Sequence, residues 1–194
     1  MHVHHLEGLT ISCKRHPDYR ASATASRYLC NMSSTGFNIR VVQRGDNAAL
    51  ARIIRQVFDE FDAPRTGTVC ADPSTDHLFE LFQYPGAVLW VGEQDGTLVG
   101  CCGIYPTEGL PPETVELVKF YVSASARGKG VGRALMEKSL GSARELGYRK
   151  CYLESLPDFD KAVRLYQQQG FRLLNQRWGN SGHSSCNIWM IKEW

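Results

Sequence analysis

Long apolar segments are missing from this chain of 194 residues. The most apolar runs, such as 87–91, are far shorter than the roughly 20 residues that a membrane-spanning helix requires. Neither sign of charge dominates, because 22 basic residues stand against 20 acidic ones and the formal net charge is only +2. We therefore expect no association with a membrane and no binding of nucleic acid through a broad basic surface.

Metal-binding spacings are also missing, although the chain has seven cysteines, at 13, 30, 70, 101, 102, 151 and 186. They form no Cys-x-x-Cys pair and no Cys/His cluster of the kind that zinc requires. Cys101, Cys102 and Cys151 fall in apolar, strand-like runs, and no histidine partner that would activate a thiol nucleophile is evident. We expect reduced thiols that pack as small hydrophobic groups, no metal, and a cytoplasmic protein.

The first 36 residues show no periodic apolar pattern, and they lack the apolar stretch of about 7 to 15 residues that a secretory signal needs. We expect residues 1–36 to be a disordered extension and residues 37–194 to form one domain. An excess of basic over acidic residues leaves an organelle transit peptide open. Met32 is an alternative translation start, a hypothesis that native protein containing residues before Met32 would exclude.

Apolar periodicity predicts an α/β fold for residues 37–194. Strands are predicted where β-branched and aromatic residues cluster or alternate with polar ones, and helices where apolar residues recur every three or four positions. The predicted strands are 37–42, 87–93, 97–105, 114–122 and 150–155, with a terminal hairpin formed by 171–178 and 185–192. The first predicted helix begins after Asp46, whose side chain should cap it. Three further helices are predicted at 73–83, 130–146 and 158–169. Because the helix 130–146 connects two strands, those strands should be parallel neighbours in a mixed sheet.

Three alternating glycines, Gly128, Gly130 and Gly132, mark the junction between a buried strand and a helix. The first N–H groups of a helix have no partner inside it, and glycine lets the chain curve around a bound group without Cβ collisions. The positive end of the helix dipole, together with flanking cations, favours an anion there. The pattern indicates a phosphate-binding turn, and an ordinary glycine-rich turn is the simpler alternative.

Two other phosphate-binding loops fit less well. A Walker A loop requires Gly-x-x-x-x-Gly-Lys-Ser/Thr, which the sequence does not contain. A dinucleotide-binding fingerprint requires a third glycine where Arg133 stands, although Glu154 falls roughly where a ribose-binding acid would be.

The glycine-rich segment resembles the signature Arg/Gln-x-x-Gly-x-Gly/Ala of the GNAT superfamily of N-acetyltransferases, with Arg127, Gly130 and Gly132 at the matching positions. Residues 117–122 look like the fourth strand of that family, and residues 162–171 resemble its last helix and the turn that follows. The order of predicted elements agrees from residue 37 to residue 194, about four-fifths of the chain.

This resemblance implies the GNAT fold, a mixed and mostly antiparallel central sheet whose parallel strands four and five splay apart, flanked by about four helices. It also implies acetyl-CoA as cosubstrate, without a metal, and transfer of its acetyl group to a primary amine of a small molecule or peptide by direct attack. The pantetheine arm would lie between the two strands. The implied cofactor-binding residues are Tyr121, Val122, Arg127, Gly128, Lys129, Gly130, Val131, Gly132 and Arg133.

Two side chains are candidates for the proton transfers that such a reaction needs. Glu116, the only acid within the fourth strand, is the first candidate for the base, with Glu154 second, although a salt-bridged or solvated glutamate is an open alternative. Tyr166 resembles the tyrosine that protonates the departing thiolate in the family, and it could equally be a core residue. His183 is interpreted as a solvent-facing loop residue.

A noncatalytic module that binds or senses acyl-CoA remains the competing function, since it would keep the same glycine-rich turn. Exposed strands near the end of the chain would permit pairing of two subunits as a homodimer.

Overall fold

The computed structural model describes residues 36–194, so the extension predicted for residues 1–36 lies outside it apart from Gly36. The strands are β1 (Asn38–Val41), β2 (Val88–Gln94), β3 (Thr97–Tyr105), β4 (Thr114–Val122), β5 (Lys150–Ser155), β6 (Arg172–Leu173) and β7 (Ile188–Glu193). The helices are α1 (Asn47–Glu60), the single turn α2 (Leu78–Leu81), α3 (Val131–Glu145) and α4 (Asp160–Gln168). None of the helices in this part of the chain is long and apolar enough to cross a membrane.

One seven-stranded sheet forms the centre of the fold, with the strand order β1-β2-β3-β4-β5-β7-β6. The neighbouring strands are antiparallel except β4 and β5, which are parallel and are joined through α3. The predicted mixed, mostly antiparallel sheet is therefore confirmed, and β4 is its central strand. The β2–β3 hairpin turns through Asp95 and Gly96, both with positive φ, as the Asp-Gly pair predicts.

The two faces of the sheet are covered by different helices. Alternate residues of a strand point to opposite faces, so Cys102 packs with Leu135 and Met136 of α3, whereas Cys101 packs with Ile54 and Phe58 of α1. Both thiols are free and fully buried. Burial raises the pKa of Cys101 to about 12 and raises that of Cys102 further. These thiols stay protonated at neutral pH and act as packing groups.

Three local predictions are wrong. The Asp46 side chain does not cap α1, because it accepts hydrogen bonds from the Gln43 N–H at 2.7 Å and from both terminal nitrogens of Arg40. The helix predicted for 73–83 is broken into a 3₁₀ turn, Pro73–Asp76, and α2, with His77 between them in a non-helical conformation.

The third wrong prediction concerns the terminal hairpin, which is much shorter than the apolar pattern predicted. Only the two residues of β6 pair with β7, and β7 also pairs along its whole length with β5. Residues 174–187 therefore form a long irregular connection rather than strand. This connection, named here the tail loop, contributes side chains to one of the cavities described below.

A bulge in β4 precedes the place where the sheet opens. Lys119 has a φ of 54°, and the pairing of β3 with β4 shifts between Cys101 and Gly103. Bulges bend a strand and increase its twist. On its other side, β4 pairs with β5 only from Thr114 to Glu116, although β4 continues to Val122. The predicted splay between strands four and five is present, and it begins at Glu116.

Candidate active site

The glycine-rich turn has the backbone shape that the sequence predicts for a phosphate-binding site. Gly128 and Gly130 have φ values of 75° and 86°, in the left-handed region that side chains rarely adopt. Gly130 directly precedes α3, and Ala134 donates its N–H to the Gly130 carbonyl. The amides between these two residues belong to the first turn of the helix and have no partner within it. A Cβ at Gly128 or Gly130 would meet no atom within 4 Å, so the space beside both is open.

Gly132 has a different role, because it allows α3 to approach β4. A Cβ at this position would lie 3.3 Å from the Phe120 ring and 3.6 Å from Val122. Val131 is 1% exposed and packs into the core, so only its main chain is available to a ligand. The alternation of glycines therefore serves two purposes, a turn with open space beside its main chain and close packing of the helix on the strand that borders the splay.

A groove of about 270 Å³ runs from this turn along the open side of β4. It is lined by the turn, by the end of β4 and by apolar residues of α1 and α4, and its lining includes Tyr121, Val122, Arg127, Gly128, Gly130, Gly132 and Arg133. This set contains most of the predicted cofactor-binding residues. An elongated groove with a cationic, amide-rich end and apolar walls fits a molecule that has a diphosphate at one end and a neutral arm at the other.

The Arg127 side chain is already engaged within the protein. Its Nε donates to the Val122 carbonyl at 3.0 Å, its guanidinium pairs with Glu60, and it lies 5.0 Å above the Phe61 ring. Much of its charge is therefore matched by Glu60, and Lys129 and Arg133 are the exposed cations of the turn. The Val122 carbonyl oxygen has two lone pairs, so it can still accept a second hydrogen bond.

A second, smaller cavity of about 70 Å³ adjoins the groove. Phe120, Tyr121, Phe159 and Ala162 line both. The small cavity also contains the candidate proton-transfer residues, Glu116, Glu154 and Tyr166. The splay thus connects a long groove with a polar chamber, named here the acceptor chamber, in which titratable side chains converge.

Glu116 is 3% exposed and accepts a hydrogen bond from the Thr107 hydroxyl. Burial is the main cause that raises the pKa of this carboxyl to about 7, and the nearby Glu154 contributes in the same direction. A carboxylate that titrates near neutral pH can take a proton from an ammonium or amine more readily than an ordinary glutamate. Both oxygens have lone pairs that the single Thr107 hydroxyl does not use.

Glu154 is held more firmly than Glu116. Its two oxygens accept hydrogen bonds from the Tyr152 hydroxyl and the Ser181 hydroxyl, both at 2.9 Å, and Arg177 Nε lies 3.4 Å away. Burial raises its pKa, and these donors oppose that change. The geometry suits an oriented, ion-paired carboxylate better than a mobile base.

Tyr166 of α4 combines packing with access to the acceptor chamber. Its ring packs against Phe120 and Phe171, with centroid distances of 5.8 and 5.9 Å, and the residue is 6% exposed. Burial raises the pKa of its hydroxyl, which therefore stays protonated at neutral pH. Within residues 36–194 this hydroxyl makes no hydrogen bond, so it is available as a proton donor.

Sequence reasoning missed several residues of the acceptor chamber. The expectation that His183 faces solvent is wrong, because its side chain is 19% exposed and lines the chamber together with Lys119. His183 belongs to the tail loop, which the sequence predicted as a simple hairpin turn. One sequence feature could have identified Lys119, namely that it is a lysine within an almost wholly apolar central strand. Lysine is rarely buried without a partner, so its position there indicates a functional or pairing role.

An open mixed sheet whose central parallel strands separate beside a glycine-rich helix start defines an acyltransferase fold of the GNAT class, and comparisons with known proteins agree. The model of the "Acetyltransferase (GNAT) family" matches residues 54–171. The chain is 38% identical over 149 residues to "Uncharacterized N-acetyltransferase YjgM" of Escherichia coli. The alignment covers 76% of this chain and 89% of that protein.

Solved structures show the same fold at low sequence identity. An acetyltransferase of the GNAT family from Staphylococcus aureus aligns with a TM-score of 0.72 at 19% identity, over 81% of this chain and 98% of that one. A GNAT superfamily phosphinothricin acetyltransferase from Sinorhizobium meliloti, determined in complex with acetyl-CoA, aligns with a TM-score of 0.65 at 20% identity, over 81% and 88%. The chain belongs to the GNAT acetyltransferase family.

Proposed function

We propose that this protein transfers the acetyl group of acetyl-CoA to a primary amine of a small molecule or peptide. The observation that carries the proposal is the connection between the two cavities where β4 and β5 separate. A long groove that ends in a glycine-rich turn fits the cosubstrate, and a chamber with two carboxylates fits an amine. The phosphinothricin acetyltransferase of similar fold was determined with acetyl-CoA bound, which supports the same cosubstrate here.

In this proposal the main chain holds the cosubstrate. The amides at the start of α3 bind the diphosphate, and Lys129 and Arg133 add positive charge at the same end. The open side of β4 beyond Glu116, which includes Tyr121 and Val122, pairs with the pantetheine arm. The thioester supplies an activated acetyl carbonyl, and its carbon then lies near the splay, between the groove and the acceptor chamber.

The side chains of the acceptor chamber move the protons. Glu116, directly or through one water molecule, first takes a proton from the ammonium form of the acceptor and passes it to solvent. The lone pair of the neutral amine then forms the new bond to the carbonyl carbon, and Glu116 takes the second proton of that nitrogen as the adduct collapses. Main-chain N–H groups of β4 that β5 leaves unpaired stabilise the negative charge that develops on the carbonyl oxygen. As the carbon–sulfur bond breaks, Tyr166 donates its hydroxyl proton to the sulfur. Bulk water later restores both groups.

Titration calorimetry with acetyl-CoA, followed by a free-thiol assay over a panel of amines, tests the proposal. We expect binding of acetyl-CoA, and release of CoA that requires an amine and yields its N-acetyl product by mass spectrometry. Binding without CoA release on any amine would instead support the module that only senses acyl-CoA. Failure to bind acetyl-CoA would overturn both functions.

A further inference from the structure

Two buried side-chain nitrogens in the acceptor chamber have no hydrogen-bond partner. Lys119 Nζ and His183 Nε2 are inaccessible to solvent, and neither forms a hydrogen bond within the described part of the chain. The Lys119 side chain is only 5% exposed. Buried donors are almost always paired, and an unpaired one costs roughly 1–3 kcal/mol, more for a charged group. Two such groups in one cavity point to a ligand that supplies the missing acceptors.

The nearest acidic group does not satisfy these donors. Asp72 Oδ2 lies 3.5 Å from both Lys119 Nζ and His183 Nε2, which is longer than the 2.7–2.9 Å of a charge-assisted hydrogen bond. The other oxygen of Asp72 accepts the Ser74 N–H at 2.8 Å, which fixes the carboxylate at the start of the 3₁₀ turn. Burial lowers the pKa of both Lys119 and His183, and Asp72 opposes this change without satisfying either nitrogen at close range.

We infer that Lys119 and His183 form an anion-binding subsite for the carboxylate of the acceptor, so that the acceptor is an amino acid with a free carboxylate. This inference rests on the proposed function, because it assigns the substrate class of the same chamber. The amine of the acceptor then faces Glu116, and its carboxylate binds Lys119 Nζ and His183 Nε2.

The charges of the chamber fit a zwitterion. Lys119 is matched by Asp72, and Arg177 by Glu154, which leaves Glu116 for the ammonium group of the acceptor. An acceptor with one positive and one negative group adds no net charge to a buried site, whereas a plain amine would leave the two donors unpaired. A water molecule needs about 10–15 Å³ of such space, so a cavity of about 70 Å³ holds about five water molecules. This is enough space for the amine, α-carbon and carboxylate of an amino acid.

The test compares each amino acid with its own primary amide in the free-thiol assay, over α-, β- and γ-amino acids. The amide keeps the shape and removes the negative charge, and its amine is the less basic one, so intrinsic reactivity at neutral pH favours the amide. We expect kcat/KM to be about 10- to 100-fold higher for the acid of at least one pair, since a hydrogen bond to a charged group is of that strength.

Lys119→Met is the variant that isolates the subsite. Methionine is unbranched, so it tolerates the positive φ of this position about as lysine does, and it fills a similar volume. We expect the variant to raise KM about 10- to 100-fold more for the amino acid than for its amide, so that the preference disappears. Because Lys119 also lowers the pKa of Glu116, a change in the base affects both substrates alike. Lys150→Met, at the paired end of β5 and 37% exposed, is the matched control and should keep the preference.

Loss of Lys119 leaves the Asp72 carboxylate without its ion-pair partner, which could prevent folding of the single variant. The double variant Lys119→Met with Asp72→Asn removes both charges, and it replaces the single variant in that case. Calorimetry on the CoA complex with N-acetyl amino acids and their amides gives a second measurement that needs no turnover. Tighter binding of the acids by the wild type, lost in the variants, supports the subsite. Equal binding and equal rates for acids and amides overturn it and leave the proposed acetyl transfer intact.

Discussion

Glu116 of β4 and Tyr152 of β5 are the last residues that face each other across the two parallel strands. Beyond this pair β4 continues without a partner on that side, while β5 stays paired with β7. The Glu116 carboxylate therefore lies where the gap opens, and the Tyr152 hydroxyl orients the second carboxylate, Glu154, at 2.9 Å. The position at which the strands separate is also the position at which the candidate base is buried.

Replacement of the candidate base should reduce turnover strongly. We expect Glu116→Gln to lower kcat/KM by about 10² to 10⁴, because the amide cannot accept the proton of the acceptor. In the wild type kcat/KM should rise with pH and level off above about pH 7, where the carboxylate is ionised. The variant should lose this dependence. A larger effect of Glu154→Gln than of Glu116→Gln would transfer the role to Glu154.

The same substitution should stabilise the protein at alkaline pH. Burial raises the pKa of Glu116 from 4.5 to about 7, so the folded protein binds this proton more tightly than the unfolded chain. Raising the pH through this window therefore lowers the free energy of unfolding, by an amount on the order of 3 kcal/mol. Glu116→Gln removes this loss.

Thermal unfolding at several pH values measures this effect. We expect the Glu116→Gln variant to unfold near the wild-type temperature at about pH 4.5 and roughly 5–10 °C higher at pH 8. The exposed Glu137→Gln is the control and should follow the wild type at every pH. Parallel curves for Glu116→Gln and the wild type would show that the Glu116 carboxylate is not destabilised by burial.

Removal of the Tyr166 hydroxyl tests its role as proton donor separately from its packing. Phenylalanine keeps the ring contacts with Phe120 and Phe171, so Tyr166→Phe should fold normally and bind acetyl-CoA as the wild type does. We expect kcat to fall about 100-fold. Tyr148→Phe, which removes a hydroxyl that donates to the Gly86 carbonyl at 3.3 Å, is the control. Unchanged turnover in Tyr166→Phe would show that the hydroxyl is not the proton donor and that Tyr166 acts only through packing.

The glycine-rich turn can be tested with two substitutions of equal backbone strain. Gly130 has a φ of 86° and Gly147, after the end of α3, has a φ of 87°, and a Cβ at either meets no atom within 4 Å. Alanine at each should cost a similar amount of stability, about 1–2 kcal/mol. We expect only Gly130→Ala to weaken acetyl-CoA binding, by about tenfold or more in calorimetry. Equal affinities of the two variants would place the diphosphate elsewhere.

Local patterns predicted most of the fold because they reflect short-range physics. The apolar stripe of α1, with Leu50, Ile54 and Phe58, and the apolar run of β4 each require burial whatever the rest of the chain does. The prediction failed where competing partners decided the outcome, as at Asp46, whose carboxylate accepts hydrogen bonds from Arg40 of the preceding strand and from the Gln43 N–H.

In the acceptor chamber, too, some residues could be predicted from local sequence and others could not. Glu116 and Tyr166 could be identified from their positions in predicted elements, but His183 could not, since the path of the tail loop depends on β7 lying between β5 and β6 in the sheet.

By itself the sequence determined the order of the elements, the turn built on Gly128 and Gly130, and the placement of one acid in the central strand, because each depends on residues close together in the chain. Only the tertiary structure decided which charges meet. Lys119, Asp72 and His183 are separated by tens of residues, and they meet because the sheet opens and the tail loop covers the opening. The pKa of Glu116, raised to about 7, has the same origin. Burial and long-range contact set these properties, and neither can be read from local sequence.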